Sequence, residues 1–265
     1  MAISKWIAIS FAGTGLTALA VSTRLLPFHQ SRRENRASPT HNESFAISIV
    51  APKEHSGTQE NYSLLIPAKR FKDSVSDEEI LARFTKGFFS GPVFTPERWL
   101  LSGAPIQLTD IEAIKKRFAT RSQNSILSLA VGPEIWNTAS ISPKSTPSFA
   151  SLLFGNFLTL DSSLLTRNQR DQLPDDYIQH PKPPHAFVEF AYGSEWLGLV
   201  GTHRFEVSRH DEKQATGTEE FVKVTFSCIV CKPKTGLALS SYLMWFHILY
   251  SRFLFSDGIK GVLTA

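Results

Sequence analysis

Two histidines stand out by the company they keep. Around GTHRFEV, an extended run places Leu199, Gly201, His203, Phe205 and Val207 on one face, opposite Thr202, Arg204 and Glu206. Its apolar neighbours aim His203 inward. In LALSSYLMWFHILYSRFLF, read as a helix over Leu237 to Phe255, His247 shares a face with Ser240, Met244 and Ser251. Imidazoles change charge near neutral pH. Two of them facing one interior can serve as acid and base in proton abstraction beside a carbonyl, dehydration or cyclisation. His203 and His247 are therefore the candidate catalytic pair. Tyr192 and Tyr250 are the candidate hydroxyl donors, and Phe205 and Phe226 the candidate ligand-contacting aromatics. Against this stands the ordinary alternative, in which each histidine is a structural residue bonded to backbone.

The remaining reactive side chains point to less. Cys228 and Cys231 are the only cysteines, three apart on a strand-like run, so they face opposite sides and read as free thiols. A lone CxxC with no second Cys/His pair at ligand spacing gives no metal site, and no cofactor is expected. P-loop, Rossmann, HExxH and GxSxG patterns are absent. Arg204 and Glu206 read as a solvated cross-strand network. Glu97 and Arg98 read as a helix-start carboxylate with an exposed partner. A net charge of +4 with no basic-aromatic stripe excludes a nucleic-acid footprint.

These side chains need a scaffold, and the 42% hydrophobic fraction is that of a folded protein. Phe45 to Val50 and Tyr62 to Ile66 read as short strands. Ser76-Asp-Glu-Glu79 is a capping box, followed by Ile80, Leu81, Phe84, Phe88 and Phe89 at helical spacing until Gly91-Pro92. A second helix opens at Pro96, and a third, capped by Thr109, carries Ile111, Ile114 and Phe118. Ile126 to Val131 can form a strand. Apolar runs at Phe154 to Leu160, Ala186 to Tyr192, Leu197 to Val207 and Phe221 to Val230 form an antiparallel meander before the long last helix. His247 and Arg252 inside that helix argue for a domain helix over a second membrane span. The fold class is α+β.

At the N-terminus, WIAISFAGTGLTALAVST carries no charge and is long enough to cross a bilayer. Arg24, Arg32, Arg33 and Arg36 follow it, which favours a single-pass anchor with the domain on the cytosolic side. A cleaved signal ending near Ala18-Leu19-Ala20, or an organellar presequence, is the weaker alternative. The expected organisation is an anchor over residues 1–26, a polar linker over 27–43 and one domain over 44–265.

The segments FVEFAYGS, GTHRFEV and VTFSCIVCKP, in a meander closed by a helix, resemble the START-like, or helix-grip, class. The resemblance covers residues of about 150 to 265. They are also loosely similar to an uncharacterised START-like family with an aromatic-Ala-Tyr-Gly turn. FTKGFFSGPVFTPERWLL is similar to segments of uncharacterised fungal proteins, some from metabolite-producing gene clusters. The resemblance implies an interior cavity for an apolar small molecule (a lipid, polyketide or terpenoid) and a place in lipid or secondary-metabolite biosynthesis. The membrane and that small molecule are the expected partners. The alternatives are a cofactor-independent acid-base enzyme using His203 and His247, and a membrane-tethered interaction protein with no pocket.

Overall fold

The computed structural model describes residues 31–34, 36–51, 55–71, 75–103, 108–121, 132–171, 173–214 and 217–264. The expected anchor at 1–26 and the expected strand at Ile126 to Val131 lie outside them. Among the described residues, no helix is long and apolar enough to cross a membrane.

The fold is α+β. Its strands are β1 (Arg32–Glu34), β2 (Thr58–Pro67), β3 (Glu134–Ile135), β4 (Leu152–Leu153), β5 (Phe157–Ser162), β6 (Ala186–Ser194), β7 (Leu199–Gln214) and β8 (Gly217–Cys231). They form one sheet in the order β1-β2-β8-β7-β6-β5-β4-β3, antiparallel except for the short β3–β4 pair. The helices are α1 (Pro39–Asn42), α2 (Phe45–Val50), α3 (Asp77–Ser90), α4 (Thr95–Gly103), α5 (Ile111–Arg121), α6 (Arg167–Arg170) and α7 (Ser241–Leu263).

Strand alternation divides the core in two. Tyr62, Leu64, Phe190, Phe205, Val207, Val224 and Phe226 point to one face, where Phe84 and Phe88 of α3 and Leu254 and Phe255 of α7 cover them. Ala191, Val200, Ile229 and Cys231 point to the other, under Phe45 and Ile49 of α2 and Ile111 and Phe118 of α5. The two cysteines accordingly face opposite sides, and both are free and buried.

Several expectations need correction. Phe45–Val50 is a helix, capped by the Ser44 side chain accepting from the Ile47 amide, and Phe45, Ala46, Ile47, Ile49 and Val50 are all buried. A short apolar run buried on most sides carries neither period, so composition favoured the wrong element. The segment read as a polar linker is partly built into the fold. Arg32–Glu34 adds to the sheet edge on β2, and His41 in α1 is completely buried. Asp110, not Thr109, caps α5, because its Oδ1 accepts from the Ala113 amide while the Thr109 hydroxyl turns to the Asn156 carbonyl. Phe157 to Leu160 lie in β5 as expected, but Phe154 to Asn156 form the β4–β5 turn, with Phe154 and Gly155 at φ of 51° and 65°. Ser76 does cap α3, accepting from the Glu79 amide at 3.2 Å.

The α3–α7 crossing sets the height of α7 over the sheet, and glycines make it possible. A Cβ on Gly87 would lie 2.6 Å from the Asp257 carbonyl and 3.0 Å from Gly261 Cα, while one on Gly258 would strike the Phe84 ring at 2.5 Å. In an exposed helix Gly→Ala gains up to about 1 kcal/mol. Here overpacking, on the order of 1–3 kcal/mol, wins. Gly87→Ala is expected to lower the urea midpoint; a stabilised variant would show that the helices do not touch backbone to backbone.

Candidate functional site

The site grows from β6, β7, β8 and α7. In β7, His203 pairs with Cys228 of β8 and with Phe190 of β6, so the imidazole and the thiol stand side by side on the α7 face. Tyr192 pairs with Gly201. A Cβ at Gly201 would come within 2.8 Å of the Tyr192 hydroxyl, so the missing side chain is what lets the phenol lie across β7. Its hydroxyl reaches the Cys228 sulfur at 3.3 Å, and its ring lies 4.5 Å from that of His203. From above, α7 lowers His247, whose Nε2 is 3.2 Å from the same sulfur. Tyr62 of β2 holds this part of α7 by donating to the Ile248 carbonyl at 2.8 Å.

The group is nearly dry and neutral. His203 is 5% exposed, and neither ring nitrogen has a hydrogen-bond partner. Phe226, Phe157 and Phe88 surround it with ring centroids at 5.1, 5.5 and 5.8 Å. Burial, and then the neighbouring His247, hold its pKa well below the ordinary histidine value. Burial lowers His247 to about 4 and pushes the Cys228 thiol upward, so two neutral imidazoles, a thiol and a phenol meet at physiological pH. Glu60 of β2 pairs with Cys228 on the sheet. Its carboxyl is raised to about 7, chiefly by burial, with Arg33, Tyr62 and Ser251 opposing.

Of the side chains singled out in the sequence, His203, His247 and Tyr192 come together, with Phe226 packed against His203. Tyr250 does not join them: its hydroxyl donates to Glu97 Oε2 at 2.7 Å. Phe205 is enclosed by Phe84, Phe88, Phe89, Phe190 and Phe226, with centroids at 4.8 to 6.2 Å, and is a core residue. Glu97 does lie in the first turn of α4 but is buried, at 8% accessible, and burial raises its carboxyl to about 7 against the hydrogen bonds from Tyr250 and Asn156. Arg98 is part-buried, donating to the Phe89 carbonyl at 2.8 Å.

Sequence reasoning missed Cys228 as a member of the site. Its inward face was legible, but its register beside His203 was not. It also missed Glu60, although Glu60, Tyr62, Leu64 and Ile66 alternate with Asn61, Ser63 and Leu65. Three side chains of metal-ligating type thus meet without any ligand spacing in the chain: the donor atoms of His203, Cys228 and His247 all lie within 4.8 Å of one another.

The opposite face overturns a second expectation. Arg204 is not solvated but fully buried, giving Nη2 and Nε hydrogen bonds of 2.7 and 3.0 Å to Glu189 Oε2. Glu189 Oε1 accepts from Ser44 at 2.8 Å and lies 3.3 Å from His41 Nε2, which also meets the Thr202 hydroxyl at 2.8 Å. Glu206 is likewise buried, 3.6 Å from Arg204 and 3.3 Å from His185. Burial alone would raise the Glu189 carboxyl, but Arg204 and His41 outweigh it and hold it at about 2. With Arg204 and Glu189 bonded to each other and to their neighbours, this network reads as structural: it fastens the Ser38–Ser44 segment to the sheet.

Set beside protein-family models, curated proteins and solved structures, the chain matches none of them.

Proposed function

We propose that this chain binds an apolar small molecule carrying a polar group, which engages His203, His247 and Tyr192 where α7 meets the sheet, and that it works beside a membrane. The observation that carries this is the pair of partnerless nitrogens on buried His203. An unsatisfied buried polar group costs roughly 1–3 kcal/mol, so a site that keeps one is arranged for a partner. Around it the walls are aromatic, which suits an apolar body. Trp196, Leu237, Tyr242 and Trp245 are all at least 52% exposed. They lie in the β6–β7 turn, the β8–α7 connection and the first turns of α7, at one end of the sheet. Such a patch fits a lipid surface from which an apolar ligand is drawn.

A START-like, helix-grip fold is part of this proposal. Three features support it: β2 lies beside the last strand β8, helices follow β2, and α7 closes the sheet. The dense aromatic packing around Phe205 favours a small site at the end of α7 over a long cavity. The convergence of His203 and His247 on one point favours a second reading, an acid-base enzyme of isomerase, dehydratase or cyclase type. A place in lipid or secondary-metabolite biosynthesis accommodates either.

Native mass spectrometry of the full chain, purified in mild detergent from its own host, tests both. A retained small molecule that is lost in folded His203→Ala or His247→Ala supports binding at this site. Chemical conversion of the released molecule by the wild type, abolished in either variant, selects the enzyme. A folded wild type that carries nothing, and takes up none of a panel of fatty acid, polyketide and terpenoid probes, overturns the proposal.

A further inference from the structure

We infer that His203, Cys228 and His247 form a site for one transition-metal ion, zinc in the first place, with an open fourth position facing Tyr192. This goes beyond the small-molecule reading and does not depend on it. The donors come from β7, β8 and α7, so a single ion would tie the helix to the two central strands.

The geometry is near what such an ion needs. Zinc–nitrogen and zinc–sulfur bonds of about 2.0–2.1 and 2.3 Å put tetrahedral donors roughly 3.3–3.6 Å apart. Cys228 Sγ and His247 Nε2 are already at 3.2 Å, and all three donor atoms fall within 4.8 Å of one another. Closing the cluster requires movement of roughly an ångström, within the reach of side-chain torsions. His203 has no competing bond to break, since both of its nitrogens are buried without a partner.

The donor chemistry matches. Two imidazoles and one thiolate are borderline-to-soft ligands that select zinc, cobalt or copper over magnesium and calcium. Three protein ligands with a fourth place free is the pattern of sites that bind water or a ligand oxygen, and the Tyr192 hydroxyl stands beside that place. Binding a dication displaces the Cys228 thiol proton to solvent, leaving a site charge of +1. The Glu60 carboxyl, across the β2–β8 pairing from Cys228, is placed to offset that charge. Cys231 cannot take part, because it packs in the other core with Ile229 and Val200.

Cobalt(II) is the probe, because a thiolate bound to tetrahedral cobalt gives an intense charge-transfer band and visible d–d bands. The full chain in detergent is expected to take up about one cobalt ion, with release of about one proton, and to exchange it for zinc. Cys228→Ser should lose the charge-transfer band. His203→Gln and His247→Gln should weaken uptake at least tenfold, and Cys231→Ser should change nothing. Should a variant unfold, X-ray absorption of the wild type decides, with two imidazoles and one sulfur expected around the metal. Folded wild type with no stoichiometric uptake overturns the inference. So does a band that survives Cys228→Ser but not Cys231→Ser. Since no small molecule enters this assay, its failure leaves the ligand proposal standing, and a metal-loaded protein that retains no ligand separates the two in the opposite sense.

Discussion

Arg204→Met is expected to cost about 3–5 kcal/mol, the range for removing one partner of a buried ion pair. Arg204 and Glu189 are both completely buried, and the guanidinium supplies two of the carboxylate's hydrogen bonds, at 2.7 and 3.0 Å. Without it, Glu189 keeps only Ser44 and the His41 imidazole, which burial holds toward its neutral form. The stranded carboxylate is the source of the cost. Arg204→Met with Glu189→Leu should therefore recover most of the loss, because the stranded Glu189 carboxylate goes too, while Glu206 keeps its His185 contact at 3.3 Å. Urea denaturation near neutral pH measures both. A single variant within about 1 kcal/mol of wild type, or a double variant worse than the single, would sink this account of the network. The acid side gives an independent check. Glu189 is lowered from 4.5 to about 2, so its stabilisation is present above pH 4.5 and is lost as pH falls toward 2. Arg204→Met should erase that acid-side slope. It should also raise proteolysis and hydrogen exchange around Ser38–Ser44, the segment that the network fastens.

Glu97→Gln is expected to do the opposite, raising stability by about 3 kcal/mol at alkaline pH. Burial lifts the Glu97 carboxyl from 4.5 to about 7, so the folded protein favours its neutral form. Stability is complete below pH 4.5, where the acid is protonated in both states, and declines as pH rises through about 7. An amide keeps the acceptor for the Tyr250 hydroxyl and has no charge to desolvate. Wild type and variant should match near about pH 4 and diverge by about pH 8, with the variant higher. Equal unfolding midpoints across that range would mean that Glu97 is ionised without penalty. Glu60, raised to about 7 by burial, slopes the wild-type curve in the same direction. Glu97 is the cleaner test, being apart from the His203–Cys228–His247 group.

Much of the local structure was legible because short-range physics decides it. Ser76 before Asp77, Glu78 and Glu79 caps α3 whatever packs on it. Alternation in β7 and β8 put His203, Phe205, Phe226 and Cys228 on one face, and in the structure they pack together in the core under α3 and α7. Phe45–Val50 was misread because six residues that are mostly buried show no period, leaving composition to choose a strand. Arg204 and Glu206 were misread for a related reason. Alternation assigns them to the second face of the sheet, but whether that face is wet depends on α2 and α5. Those helices supply Phe45, Ile49, Ile111 and Phe118 from far away in the chain.

The amino-acid sequence by itself determined the α+β class, the order of the main elements, the inward face of His203 and the last helix that bears His247. It did so because pairing period, capping and burial preference act over a few neighbouring residues. Which of those inward side chains meet was decided only by tertiary structure. Cys228 stands beside His203 because β7 and β8 pair in one register, and a slip of one residue would turn it to the other core. His247 reaches the same sulfur because Gly87, Gly258 and Gly261 let α7 sit close on α3, while Tyr62 holds it to the sheet. Register and helix height are long-range quantities, set by the packing of the whole core.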